Sequence, residues 1–221
     1  MSYMKNIFLS ILAATLPTIL YADTNPQFIG EDFSGRPCVG SIGSYGPFDY
    51  TKRVNYPKEL YLVESAHFTT NVETLVKGST SSLPYGDLAY TLRAWPNHHR
   101  ALNSISRYHL KFKRIGKSIP ISAECWFQRA INYSPNDATT YMLYGMYLHN
   151  SKKLKQADAN YQTALRLDPD NIQSHYNYGL LLVAQKKFSE AKKHAEIAYA
   201  QSYPLQGLRN KLKAAGQWPN K

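Results

Sequence analysis

Residues 138–171 read ATTYMLYGMYLHNSKKLKQADANYQTALRLDPDN. Two segments with apolar residues at helical spacing flank a short lysine-rich turn, and Asp168-Pro169-Asp170 closes the stretch. Shifted forward so that Ala138 falls on Ile172, the stretch meets a second copy of itself. Tyr141, Tyr144, Gly145 and Leu148 return as His175, Tyr178, Gly179 and Leu182, and Ala157 and Ala164 return as Ala191 and Ala198. A regular period of this kind marks stacked supersecondary units, each too small to bury its apolar face alone. The expected fold class is all-α: a short solenoid of helical hairpins.

Each repeating residue has a physical reason to repeat. Gly145 and Gly179 on the first helix, with Ala157 and Ala191 on the second, let the two helices approach closely. Tyr144, Leu148, Tyr161 and Leu165 fill the space between helices and toward the next unit. Pro135 and Asp168-Pro169 end one hairpin and turn the chain into the next. In the second copy Ala195 stands where Tyr161 stood, and Pro204 falls one place late. Going backwards, Ala123, Phe127, Ala130 and Pro135 precede Ala157, Tyr161, Ala164 and Pro169 by the same interval. Ser106 replaces the glycine there and the inter-helix loop is longer, so residues 97–137 read as a degenerate repeat.

These residues resemble the tetratricopeptide repeat (TPR) family, whose pattern over about 34 residues is W-x2-L-G-x2-Y, then A-x3-F, then P. Tyr141-x2-Tyr144-Gly145-x2-Leu148, Ala157-x3-Tyr161 and Pro169 carry the resemblance, which spans roughly residues 87–216. Repeats are expected over 138–171 and 172–205. Leu88 to Pro96 resembles the second helix of a weaker unit, and Leu205, Leu208, Leu212 and Ala215 form a capping helix over 205–216. The stretches YGPFDY, VESAHFT and YTLRAWPNHHRAL, outside the two good copies, are also similar to exported bacterial proteins that carry such repeats.

The resemblance implies that the first helices line a concave groove for a peptide or a partner helix. The groove-facing candidates are Asn103, Arg107, Met142, Met146, His149, Gln173, Tyr176, Asn177 and Leu180. The family's clamp for a C-terminal carboxylate needs Lys, Asn and Arg at fixed places. Here those places hold Asn103, Arg107, Leu143, Gln173 and Asn177, a poor match.

Residues 1–22 contain one cation, Lys5, followed by the uncharged run IFLSILAATLPTILY and Ala22. That run is short for a bilayer span and carries Pro17, so a secretory signal is the expected reading, with an uncleaved inner-membrane anchor as the alternative. The expected location is periplasmic or secreted. Losing this segment lowers the net charge from +11 to +10, an excess that favours acidic partners; export argues against nucleic acid. Lys152-Lys153 and Lys186-Lys187 stand one repeat apart, so stacking aligns them along one edge. That edge suggests a second function, binding an anionic envelope polymer or lipid.

Residues 23–86 form a leader punctuated by glycine and proline and rich in aromatics, with at least one short helix, and 217–221 form a tail. Phe28, Phe33, Tyr45, Phe48 and Tyr50 are expected to anchor the leader on the helical body. Within it, residues 59–68 suit a helix or a strand, and Thr70-x-x-Glu73 reads as a capping box for a helix ending at Gly78. Residues 79–85 read as a loop, with Asp87 as the N-cap of the following helix. Two cysteines in an exported chain permit a Cys38–Cys125 disulfide.

No catalytic or metal motif is present in the sequence. The seven histidines show no ligand spacing, and adjacent His98 and His99 point about 100° apart on a helix. No cofactor is expected. The expected function is a non-enzymatic, exported adaptor that binds a protein or peptide. An accessory role in an envelope enzyme, involving His67, His98 and His99, ranks below it.

Overall fold

The computed structural model describes residues 27–41, 43, 45–114 and 119–219, so the expected signal segment 1–22 lies outside the described residues. Among the described residues a 3-10 segment, Tyr50–Asn55, leads into ten α-helices. These are α1 (Pro57–His67), α2 (Thr70–Glu73), α3 (Pro84–Ala94), α4 (His99–Arg114) and α5 (Ala123–Tyr133), then α6 (Ala138–Asn150), α7 (Leu154–Leu167), α8 (Ile172–Ala184), α9 (Phe188–Ala200) and α10 (Gly207–Ala214). Among the described residues there is no strand beyond one isolated bridge, Glu31 with Pro37, and no helix long and apolar enough to cross a membrane.

The hairpins pack as the period predicts. α4 pairs with α5, α6 with α7 and α8 with α9, while the first helices α4, α6 and α8 are neighbours in that order and α10 joins beside α8. Asp137 and Asn171, one repeat apart, cap the N-termini of α6 and α8 with their side-chain oxygens. At Gly145 the ring of Tyr161 lies so close that a Cβ would meet it at 3.0 Å. At Gly179 the Tyr161 equivalent is Ala195, and Leu208 of α10 closes in instead, 2.5 Å from where a Cβ would stand. The capping helix thus fills the hole that the missing aromatic leaves. Ala195→Tyr should cost about 1–3 kcal/mol through overpacking, and much less in a Leu208→Ala background. A urea double-mutant cycle measures that coupling, and additive losses would contradict it.

Three local expectations need correction or completion. Residues 59–67 belong to a helix, α1, capped by Phe68, which Pro57 starts at a position where a missing N–H is harmless. The Thr70-x-x-Glu73 box does not form: Thr69 occupies the N-cap without a side-chain bond, and α2 ends at Glu73, short of Gly78. Glu73 instead pairs with Arg100 of α4. Asp87 is not an N-cap either, because α3 starts three residues earlier at Pro84. Its fully buried carboxylate accepts from the backbone N–H groups of Ser79, Thr80 and Ser81, from the Thr80 hydroxyl and from His67 Nδ1–H. Burial pushes the Asp87 carboxyl up, but those bonds outweigh it and hold the group far below the usual aspartate range.

The leader is folded onto α3, α5 and parts of α4 and α6. Cys38 and Cys125 are disulfide-bonded, with Cα atoms 5.4 Å apart. Phe28 meets Trp126 edge-on at 5.0 Å and lies under the Arg129 guanidinium at 5.3 Å. Phe33 stacks on Tyr147 and donates its N–H to Glu124 Oε1 at 3.1 Å, while Gln128 Nε2 donates to the Glu31 carbonyl at 2.8 Å. Further on, Phe48 N–H donates to the Ala94 carbonyl and the Tyr133 hydroxyl to the Pro47 carbonyl. Buried Asn97 joins the two parts: its Oδ1 accepts from Tyr50 N–H, and its Nδ2 donates to Asp49 and to the α6 cap Asp137. All five expected aromatic anchors pack against the body.

Candidate functional site

The groove candidates lie on the side-by-side first helices α4, α6 and α8. Arg107 and Gln173 are exposed, and Asn103, Met146, His149, Asn177 and Leu180 are partly so. Two candidates are not surface residues. Met142 is 2% exposed and belongs to the core, and Tyr176 is 6% exposed beneath Tyr203, whose ring lies 4.6 Å away. Their spacing matches the face, but α10 and its lead-in cover the last first helix and bury Tyr176. At the other end Arg107 donates to the Glu73 carbonyl and to Ser104 Oγ, so α2 forms the groove's edge there. Burial, together with the charges of Lys152 and Lys211, keeps His149 below the ordinary histidine value. The face therefore offers amide, guanidinium and neutral imidazole groups around Met146 and Leu180. The leader's aromatic contacts fall on α3, α5, the α6–α7 turn and the first-helix residues His99 and Tyr147. Among the contacts described above, the only groove candidate the leader touches is Arg107, through Glu73.

Along the edge, Lys152, Lys153, Lys186 and Lys187 are all exposed. Lys152 and Lys186 have the same left-handed backbone, φ 62°. In both turns the next lysine's N–H reaches the helix carbonyl five residues back (Lys153 to Leu148, Lys187 to Leu182), while Lys152 reaches His149 and Lys186 reaches Val183. This is the Schellman closure, whose left-handed position is normally given to glycine. Among the described residues none of the four lysines is in an ion pair. Lys153 instead sits 5.0 Å over the Phe33 ring.

The histidines are absorbed into structural pairs. His98 and His99 diverge as their spacing predicts: His98 Nε2–H donates to Glu64 at 2.9 Å and His99 Nε2–H to Asp137 at 2.8 Å. Ala101 N–H donates to His98 Nδ1, which fixes the neutral tautomer, and burial keeps its pKa low. His67, which bonds Asp87, lies apart from them on α1. Among the described residues no group of three or more His, Cys, Asp or Glu could hold a metal ion. At the base of the leader, Tyr147 donates to Glu124 Oε2 at 2.6 Å beside His109. Burial raises the Glu124 pKa, but the bonds from His109, Tyr147 and Phe33 N–H outweigh it and hold the group at about 2. In the last repeat His175 donates from Nε2 to the Pro169 carbonyl and accepts at Nδ1 from His194, 2.7 Å away. Burial and the neighbouring His175 hold His194 down to about 4.

These shifts set the direction of the pH dependence. A histidine whose folded pKa is depressed contributes stability fully above its unfolded value, about 6.5, and loses it as pH falls toward 4. Glu124 adds a second loss, between about 4.3 and 2. The urea midpoint should therefore fall from pH 7 to 4.5, and His194→Gln should flatten that slope. A midpoint that stays level over this interval would contradict these assignments.

Comparison with known families agrees with the geometry. The sequence model of the TPR repeat family matches residues 145–186, from the middle of α6 through α7 to the turn after α8. No curated protein matches the chain. Repeats of this kind are scaffolds that bind proteins or peptides. The regular period and the matched residues agree, and residues 145–186 carry a repeat of the tetratricopeptide family.

Proposed function

We propose that the chain is an exported, non-enzymatic adaptor of the cell envelope that holds a protein or peptide on the α4–α6–α8 face. The observation that carries this reading is the placement of the leader. Its disulfide and aromatic anchors engage α5, α3 and the Tyr147 and His99 positions of the first helices, with no described contact to Met146, Asn177 or Leu180, and those three side chains stay partly exposed. The apolar start of the sequence supports export. Replacing Arg107, Met146 and Asn177 together by alanine should cut capture of envelope partners at least about tenfold, as loss of a few central contacts does. Substitutions at Gln162 on α7 should not. Equal capture by both variants would sink the adaptor reading.

A second reading, binding of an anionic envelope polymer or lipid by the lysine edge, is favoured by the left-handed Lys152 and Lys186. Lysine in that conformation costs about 1 kcal/mol relative to glycine, and it recurs in both repeats. Lys152→Gly with Lys186→Gly should raise stability by about 1–2 kcal/mol while weakening salt-sensitive binding to the polyanion heparin. Binding insensitive to salt or to these changes would remove the second reading.

A further inference from the structure

Away from both surfaces, a cavity of about 430 Å³ opens between the start of α3 and the end of α4. Tyr85, Tyr108, Phe112, Ile119 and Leu83 form its apolar wall, with Ser81 and Ser82 at one side. Its size falls in the range of small-molecule sites. Leu83 is 55% exposed at the mouth, while Tyr108 is only 3% exposed and stacks on Phe112 at 4.2 Å. The Tyr85 hydroxyl is satisfied, accepting from Ile121 N–H at 2.8 Å. The Tyr108 hydroxyl has no hydrogen-bond partner among the described residues. Burial also pushes its pKa up, so it is a neutral donor at any physiological pH.

The charge environment selects the ligand. None of the described lining residues carries a charge at neutral pH. Asp87, which bonds the lining residue Ser81, is fully buried with its oxygens already bonded to the Ser79–Ser81 loop and to His67, so it is not free to pair with a cationic ligand. We propose that this cavity binds an uncharged, largely apolar small molecule with one carbonyl acceptor, its hydrocarbon part against Phe112 and Ile119 and its carbonyl on the Tyr108 hydroxyl. A neutral acyl ester has this chemistry. The corresponding free acid suits it less, because no described lining residue could pair with its carboxylate. The site is independent of the groove and of the lysine edge.

Nile red, a flat neutral dye with one ring carbonyl, is the direct probe. Titrated with the full chain, its emission should rise and shift to the blue with saturable binding. Tyr108→Phe keeps the wall and removes the donor, and should weaken binding about 5- to 10-fold, the worth of one hydrogen bond. Ser82→Trp, at an exposed lining position, should abolish it by filling the mouth, with an unchanged circular dichroism spectrum as the folding control. Methyl laurate should displace the dye at lower concentration than laurate does at pH 8. Absence of binding by the unmodified chain, binding that neither substitution alters, or stronger displacement by laurate would each overturn the proposal.

Discussion

Reduction of the Cys38–Cys125 bond should lower stability by about 4–5 kcal/mol, and the Cys38→Ser, Cys125→Ala double variant should lose the same amount. The bond joins residues with a sequence separation of 87. Closing so long a loop removes much of the freedom of the unfolded chain, which is the source of the expected magnitude. The native side is prepared for the cross-link. Phe28 on Trp126, Phe33 on Tyr147 and the Phe33 N–H on Glu124 already hold the leader beside Cys125. Alkylation of the unreduced mature protein should label neither thiol by mass spectrometry. Urea unfolding with and without reductant gives the energy, and a change below about 1 kcal/mol, at the bottom of the usual range, would mean that the leader is not held as described.

Arg129→Met should cost about 3–5 kcal/mol, from two orphaned buried acceptors and the lost packing of a charged stem. Arg129 is fully buried on α5, and its Nη1 donates to the Leu92 carbonyl at 2.7 Å, with Nη2 near the Arg93 carbonyl. Those carbonyls belong to the last turn of α3, where no intrahelical donor remains. Burial, with the Arg93 charge adding to it, brings Arg129 down to about 10, so the side chain stays charged and is held by what it bonds. Lysine should not rescue it, since a single ammonium cannot replace the planar fork across two carbonyls. Thermal melts of the methionine and lysine variants check this; a loss under about 1 kcal/mol, the level of an ordinary surface change, would contradict it.

What could be read in the sequence follows from how local the cause is. The hairpins of α6–α9 rest on residues that repeat at one spacing, so Gly145 against Tyr161 was legible before any coordinates. Ala195 was legible as a break in the pattern, but the residue that repairs it, Leu208, comes from a helix outside the repeat. Asp87 misleads because an acid before an apolar period looks the same whether it caps its own helix or organises a loop. The choice was made by Pro84 and by the Ser79–Ser81 backbone. Arg129 and Asn97 gave no signal at all, since their partners are carbonyls and side chains tens of residues away. Of the groove candidates, Arg107 is exposed and Asn103 and Asn177 are partly so. Tyr176 is buried because Tyr203 and the start of α10 cover that end of the stack.

The proposed adaptor role requires that partners be held on the α4–α6–α8 face while the leader stays on the outside. A photo-crosslinking amino acid placed singly at Met146, at Leu180 and, as the outer control, at Gln162 tests this in living cells. Discrete crosslinks to the same envelope protein are expected from positions 146 and 180, and none from 162. Crosslinks from 146 and 180 that land on the chain's own leader, or partner crosslinks from 162 alone, would contradict it.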